Sequence, residues 1–513
     1  MREIGLILGV DDEYWVPEHV RAYLRELGFV LPLEPMEEHI REWNEWMRSV
    51  GSFYDYYDTD TFGRSYEVHR RSVKPAMRVC TEWSSLLLND KTICACDDKA
   101  VTEWMKDWIE DTGFLQAAQA CLVRAFGLGT GAWALWVDGD AGKVRVRHYD
   151  ARMIVPLTWD EDGCTECAFV TRVVYRGHAY DQLQMHVRGG LDDCDGTLGQ
   201  KLGRQGLTYH IITVVFDEHG NVMEPEGVCT EWDSGCPSPT FALIRPAVDN
   251  TRVDLSPYGQ SVFADAVDTV QAVDLAFDAL INEVDAGKMR IFVADVLVDQ
   301  GADGGKRVAI PFGKHDCTVF RKVMSTEDTI QEFAPPLRTD QQLTALRTSL
   351  SLLGDLCGFG CKYFDFDTET GYVKTATEVS SDNSALMRNI ARHEHGLERA
   401  LRQIFHAVIC AARHMGETLP DEGEVRVTFD DSIITDTAAD KAQDMAEVAA
   451  GLMADWEYRV KWFGEDEATA KASVAEMKAA SGRSGQSEGG ESSVARAGSV
   501  CAASGSRVTA ASS

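Results

Sequence analysis

Cysteines, histidines and aspartates are the residues here whose chemistry depends most on spacing, and few of them stand where chemistry needs them. Of fourteen cysteines, Cys164 and Cys167 form a C-x-x-C pair, and Cys229 with Cys236 is the nearest possible second pair. Structural zinc wants two tight pairs, and the gap from Cys229 to Cys236 is loose. Buried or hairpin thiols are therefore expected. Cys357 and Cys361 are four apart, close enough to bridge if oxidised, but reduced thiols are the expectation for a chain made in a cytosol. His393-Glu394-His395 lies in a helical pattern, where i and i+2 point to different sides. Leu397 occupies the place where an H-E-x-x-H zinc site needs its second histidine, so a surface polar cluster is expected.

Phosphate chemistry fares no better. Gly304-Gly305-Lys306-Arg307 has the wrong spacing and the wrong last residue for a P-loop. The run Gly127-Leu128-Gly129-Thr130-Gly131 follows a helical pattern and lacks a downstream Lys-Ser/Thr, so it reads as a helix stop leading into a strand. Asp430-Asp431 and Asp365-x-Asp367 could hold a metal, yet isolated acid pairs are common in an acidic chain. No catalytic residue, metal or cofactor is expected. The enzymatic alternative is a metal-dependent nucleic-acid hydrolase working through the aspartate pairs.

The chain has 513 residues and a mass of 56.7 kDa, enough for three or four substructures. Mean hydropathy is −0.21, and 44% of residues are hydrophobic. No apolar run approaches the ~18 residues of a membrane span, and the first residues lack a secretory cleavage pattern. The 82 acids outnumber 50 Lys and Arg for a net charge of −32. A broad nucleic-acid binder would carry the opposite sign. That balance suits solubility, or a surface that something negative passes without sticking.

The first ~130 residues read as helices, over Trp15 to Leu27, Met36 to Val50 and Ala100 to Ile109. Six tryptophans (Trp15, Trp43, Trp46, Trp83, Trp104, Trp108) suggest bulky helix packing. Without interleaved basic residues they do not read as a base-stacking platform. From Gly131 to about residue 246 the pattern alternates or runs β-branched, with turns at Asp138-Gly139-Asp140 and His219-Gly220-Asn221.

After Pro257, Val262, Ala266, Val270, Val273, Phe277, Leu280 and Val284 recur at steps of three and four, which puts them on one buried stripe. Asp265, Asp268, Asp274, Asp278, Glu283 and Asp285 take the remaining circumference. Residues 289–334 read as short strands and loops. Between Gly287 and Met324 seven bases face four acids, a net of +3 inside an acidic chain. A helix then opens with a capping box at Thr339 and Gln342, and runs to Cys357. A Gly-rich break and an aromatic loop lead to a second capping box, Thr375 with Glu378. The helix that follows, to His414, would be about 58 Å long, a strut rather than part of a compact bundle. A short strand (Val425 to Phe429) and helices near 438–453 and 465–479 follow. The Ser/Gly/Ala-rich end, 481–513, is expected to be disordered.

Several segments in this order carry a resemblance. They are DTGFLQAAQACLVRAFGLGTGAWALWVD from Asp111, YDARMIVPLTWDEDGCTECAF from Tyr149, FALIRPAVDN from Phe241, and SPYGQSVFADAVDTVQAVDLAFDALINEV from Ser256. TGYVKTATEVSSDNSALMRNIARHEHGLERAL from Thr370 and VTFDDSIITD from Val427 complete the set. Their order and spacing over about 100–480 resemble the portal proteins of tailed double-stranded DNA phages, in the long-tailed group typical of Gram-positive hosts.

The resemblance implies an α+β portal fold with wing, helical stem, clip, tunnel loop and helical crown. It also implies a homo-oligomeric ring, usually a dodecamer, at one capsid vertex. The wing would span 1–257, the first stem helix 258–286, the clip 287–336 and the second stem helix 337–357. The tunnel loop would be 358–376, and the long helix and crown 377–480.

The implied function is a conduit through which DNA is packaged and ejected. The ring would dock the terminase large subunit and later head-completion or adaptor proteins, and would contact scaffolding and major capsid proteins. It would sit in the virion after assembly in the host cytoplasm, away from any membrane. Lys362 and Lys374 flank the implied loop and are candidates for contact with passing DNA. Asp265, Asp268 and Asp278 are candidates for an acidic channel wall. Lys306, Arg307, Lys314, Arg321 and Lys322 are candidates for docking at the clip. A head–tail adaptor is the alternative within the virion, although it should lack the helix–insert–helix–loop–long-helix order.

Overall fold

Amphipathic spacing builds the first part of the chain. Helix α1 (Glu18–Glu26) buries Val20 and Leu24, and α2 (Leu33–Arg48) buries Met36, Ile40, Trp43 and Met47 at steps of four, three and four. Helix α3 (Pro75–Leu87) opens on proline, which has no amide proton to lose there. In α4 (Lys99–Thr112) the Asp98 carboxylate caps the start, accepting from the Ala100 and Val101 amides at 2.8 and 3.3 Å. Helix α5 (Phe114–Leu128) ends at Gly129, whose φ is +81°. A Cβ at Gly129 would stand 2.5 Å from the Gly259 carbonyl oxygen, so only glycine fits this turn. The strand Gly131–Asp138 begins two residues later, which makes the Gly-rich run the helix stop its pattern implied.

The computed structural model describes residues 5–6, 14–59, 63–89, 91–138, 143–161, 163–175, 177–189, 207–224, 228–287, 290–294, 302–303, 306–307, 319–322, 331–333, 336–364, 376–429, 437–463 and 469–475. An antiparallel hairpin, Asp55–Thr59 with Ser65–His69, interrupts the helical region. It buries no face, so it leaves no alternating pattern to read.

The β-rich block forms two antiparallel sheets. The larger runs Gly5–Leu6, Gly163–Tyr175, His178–Arg188, Tyr209–Phe216, Val222–Met223, with Ile154–Asp160 and Glu231–Asp233 as side partners. The smaller runs Phe241–Ile244, Gly131–Asp138, Lys143–Asp150. Tyr149 stacks on Phe169 at 4.6 Å and the buried Phe241 joins them, so side chains from both sheets share one small core. The turn at His219-Gly220-Asn221 joins paired strands, as its composition implied.

A buried connection, 258–263, precedes a short 3-10 turn (Ala264–Ala266) and then α6 (Val267–Ala286). The regular helix therefore starts later than residue 258. Tyr258 donates to the Ile154 carbonyl at 2.6 Å, and the Val262 amide donates to Phe126 at 3.0 Å, which ties this entry to the body. Helix α7 is Thr339–Leu356. Its expected capping box does not form: Thr339 is already helical, and Arg338 precedes it with no side-chain cap.

Helix α8, Ala376–His414, has the anticipated length of 39 residues but a different environment. Leu386, Ile390, Leu397, Leu401, Ile404 and Val408 are buried, and the helix packs on the smaller sheet and on α3. It is the pole of the core rather than an outlying strut. The strand Arg426–Thr428 pairs with Ile93–Ala95.

Contacts divide the chain into Met1–Ile434 and a second unit, Thr435–Ser513. In the second, α9 (Thr437–Ala449) and α10 (Asp455–Phe463) are joined where Asp444 accepts from Lys461 Nζ and Trp462 Nε1, each at 2.7 Å. Helix α10 falls ahead of the expected 465–479, and residues 469–475 are helical too. The Ser/Gly/Ala-rich end, 481–513, lies outside the described residues. Among the described residues, no helix is long and apolar enough to cross a membrane.

Candidate functional site

Helices α6 and α7 pack on each other as a hairpin around the residue 287–338 insert. Its base is closed by Glu283, which takes the Arg338 backbone amide at 3.1 Å and the guanidinium Nε and Nη2 at 3.2 and 2.8 Å. That pairing holds the Glu283 carboxyl below its ordinary range.

The apolar series that leads into α6 and along it runs from interior to surface. Val262, Ala266, Val270 and Val273 are buried, Phe277 and Leu280 are half-buried, and Val284 is exposed. Leu275 on α6 and Leu352 and Leu356 on α7 are each more than half exposed (51%, 54% and 55%).

The acids of α6 do not form one solvated face. Asp274 is fully buried, because Tyr54, Ser72 and Val73 fold over it. Its carboxylate accepts from Tyr54 Oη and Ser72 Oγ, each at 2.7 Å, and from the Val73 amide at 2.9 Å. Burial pushes its pKa up, opposed by these three donors. One turn on, Asp278 accepts from Asn282 Nδ2 at 3.0 Å and lies 3.8 Å from the Arg71 guanidinium. Arg71 also reaches Asn282 Oδ1 at 2.8 Å and Asp285 at 3.0 Å. Asp265 is exposed, with Gln260 Nε2 at 2.9 Å and Arg252 at 3.5 Å, and Asp268 is exposed in the first turn. So Asp265 and Asp278 each lie beside one of the chain's own arginines, while Asp268 stands exposed in the first turn of the helix.

Behind α7 the sequence Cys357-Gly-Phe-Gly-Cys361 makes a tight turn against α3. The buried Trp83 donates Nε1–H to the Cys357 carbonyl at 3.0 Å, and its ring stacks on Phe359 at 4.6 Å. Gly358 has φ +87°, and a Cβ there would meet the Trp83 indole and the Asn389 amide. Tyr363 stacks on Phe359 and donates to Glu82 at 2.9 Å. The first residues of the implied loop, 358–364, are thus anchored to the body. Cys357 is buried and Cys361 exposed, both as free thiols. Lys362 is exposed within this turn, and Lys374 lies outside the described residues.

In the insert, Arg290–Ala294 pairs in parallel with Val319–Lys322 and antiparallel with Gln331–Phe333. Arg321 and Lys322 sit at the end of that central pairing, opposite Val293 and Ala294. Lys306 and Arg307 form half of a two-residue ladder with Ala302–Asp303. Lys314 lies outside the described residues, as do Asp365, Asp367, Asp430 and Asp431.

His393 corrects the expectation of a surface cluster. It is buried against Trp83 and Phe126, at 4.6 and 5.0 Å between rings, and its Nδ1 accepts from the Ala247 amide at 2.9 Å. Burial lowers its pKa to about 4, so it is a neutral core residue. The face it occupies is the one α8 turns to α3, which single-helix spacing did not reveal.

Sequence reasoning also missed a cluster of thiols and imidazole. Cys236 stands not with the C-x-x-C pair but with His406 and Cys410, and one ligand atom from each lies within 4.8 Å of the others. His406 and Cys410 are one turn apart on α8, a spacing that could have flagged them; Cys236, 170 residues earlier in sequence, could not. Hydrogen bonds from the Cys410 thiol and from His406 lower the Cys236 pKa to about 4 against the opposing effect of burial. The bond to Cys236 raises the pKa of Cys410, and the same thiolate raises that of His406. His406 Nδ1 lies 2.6 Å from Glu422 Oε1, and the other Glu422 oxygen pairs with Arg413 at 2.5 Å.

An α+β body carrying a helical hairpin interrupted by an insert, then a glycine turn and a 39-residue helix, defines the class as the portal fold. Residues 39–484 match the family model described as phage portal protein, SPP1 Gp6-like, and the chain belongs to that family. The family is a structural one rather than a family of enzymes. No curated protein sequence matches the chain.

Among solved structures, it is similar to a chain in the neck of the native GTA particle computed with C12 symmetry, at 12% identity and TM-score 0.36, covering 75% of this chain and 89% of that one. A chain from the virion of the native gene transfer agent particle gives 11% identity and TM-score 0.37, over 75% and 88%. A chain from the neck of the empty GTA particle computed with C6 symmetry gives the same values.

Proposed function

We propose that this chain is the subunit of a portal ring at one capsid vertex, the channel through which a double-stranded DNA genome is packaged and later ejected. The observation that carries this reading is the α6–α7 hairpin. It is closed at its base by Glu283 and Arg338 around an insert, and it presents Leu275, Leu352 and Leu356 to solvent in the single chain. Leucines exposed on a packed hairpin suit burial against the next copy around a ring. The hairpin is the stem, residues 287–336 the clip, 358–376 the tunnel loop, and residues 377–480 the long helix and crown; the wing precedes them.

In this reading Asp265, Asp268 and Asp278 contribute to an acidic wall along which DNA slides, because a surface that attracts few phosphates holds none for long. Lys362 and Lys374 make the passing phosphate contacts. Lys306, Arg307, Lys314, Arg321 and Lys322 give the clip its positive balance, which complements an acidic docking surface on the terminase large subunit and then on head-completion proteins. Scaffolding and major capsid proteins meet the outer part of the ring during assembly in the host cytoplasm. The resemblance to portals of long-tailed phages supports a Gram-positive host.

Deleting residues 365–374, which spares the anchored turn at 357–364, tests the loop's role. Rings of unchanged mass that no longer support packaging in reconstituted proheads are expected. Loss of the ring itself would count against placing that loop in the channel.

A further inference from the structure

We propose that Cys236, His406 and Cys410 bind one zinc ion, which fastens the loop after strand Glu231–Asp233 to the C-terminal third of α8. The geometry carries the assignment. Tetrahedral zinc with sulfur at about 2.3 Å and nitrogen at about 2.0–2.1 Å puts neighbouring sulfur and nitrogen ligands about 3.6 Å apart. Cys410 Sγ and His406 Nε2 stand 3.7 Å apart, and all three ligand atoms fall within 4.8 Å of one another. Two residues one turn apart on a helix and a third from a distant loop give three convergent ligands without any rearrangement of the backbone.

The surroundings match what a zinc-binding histidine needs. Its Nε2 faces the thiols while Nδ1 is held at 2.6 Å by the Glu422 carboxylate, which fixes the ring's orientation and tautomer. Glu422 is in turn held by Arg413, and its side chain is only 4% exposed. Charges balance: two thiolates neutralise the dication, and Glu422 neutralises Arg413. Binding releases two protons from the Cys236–His406–Cys410 set to the solvent.

The loop is also built in advance. Ser234 Oγ donates to the Tyr209 carbonyl at 2.6 Å, the Cys236 amide donates to Ser234 Oγ at 3.1 Å, and the Tyr209 amide donates to the Cys236 carbonyl at 2.8 Å. Cys236 is fully buried, while His406 and Cys410 are partly exposed, so water can supply the fourth ligand from the open side. Nitrogen with two sulfurs is a donor set that suits zinc and excludes magnesium and calcium.

The test uses the full chain, purified under reducing conditions from cells grown with zinc. Elemental analysis should give one zinc per chain. Cys236→Ser with Cys410→Ser should lose it, and substitution of the exposed Cys229 by Ser should keep it. Glu422→Gln should weaken affinity about 10- to 100-fold, measured by chelator competition.

Because the double variant could fail to fold, wild-type protein stripped by chelator is titrated with Co²⁺. One equivalent should bring in thiolate-to-cobalt charge transfer and the visible bands of a tetrahedral site. A wild-type chain without zinc and without this cobalt spectrum would overturn the proposal. So would zinc retained by a folded double variant, or a Cys236–Cys410 disulfide found by mass spectrometry in protein kept reduced.

Discussion

The buried carboxylate of Asp274 couples the α6 helix to Tyr54, Ser72 and Val73, and its removal should be costly. In Asp274→Ala, the Tyr54 hydroxyl, the Ser72 hydroxyl and the Val73 amide all lose their acceptor, and Tyr54 is itself fully buried. A hydrogen bond to a charged group contributes about 1.5–3 kcal/mol, and an orphaned buried donor costs about 1–3 kcal/mol. Burial already pushes the Asp274 pKa up, so part of the desolvation cost is recovered when the carboxylate goes. The net expectation is about 3–5 kcal/mol of destabilisation, with Asp274→Asn costing less because it keeps one acceptor.

A double-mutant cycle isolates the pair. Tyr54→Phe alone should cost about 1–2 kcal/mol, but close to nothing in the Asp274→Ala background, a coupling of about 1–2 kcal/mol. The assay is guanidinium unfolding of the full chain, followed by tryptophan fluorescence. An Asp274→Ala change under about 0.5 kcal/mol, or costs that simply add, would refute the reasoning.

Other consequences can be measured alongside. His393 has a folded pKa of about 4, below its unfolded value, so the stability it contributes is present above about pH 6.5 and is lost as pH falls toward 4. Between pH 7 and 5 that amounts to about 2 kcal/mol, which His393→Asn should remove from the pH dependence of the unfolding midpoint. Gly129→Ala meets the Gly259 carbonyl at a left-handed φ and should lower stability by more than about 2 kcal/mol; an unchanged melting temperature would contradict that geometry. Leu352→Asp with Leu356→Asp should leave the chain folded by circular dichroism yet block ring formation in light scattering, whereas intact rings would move the interface elsewhere.

Periodicity carried the long elements well. The steps of Val270, Val273, Phe277 and Leu280 placed α6, and the β-branched alternation after Gly131 placed both sheets. What it could not carry was what covers each face. Asp274 looked like part of a solvated surface because its three donors come from residues 54–73, some 200 positions earlier. His393 looked polar and exposed for the same reason, with Trp83 and Phe126 supplying its pocket. The Asp55–His69 hairpin has no buried face and so no pattern. At the cysteines, the tempting C-x-x-C spacing at 164 and 167 is local, whereas the cluster with ligand geometry is assembled across the fold by Cys236, His406 and Cys410.

The proposed function requires that this chain close into a ring around a channel. The most direct test is electron microscopy of the purified full chain, with light scattering for mass. Twelve copies of a 56.7 kDa chain give about 680 kDa, and rings near that mass with an open centre wide enough for a duplex are expected. A compact dimer or tetramer without a channel would contradict it.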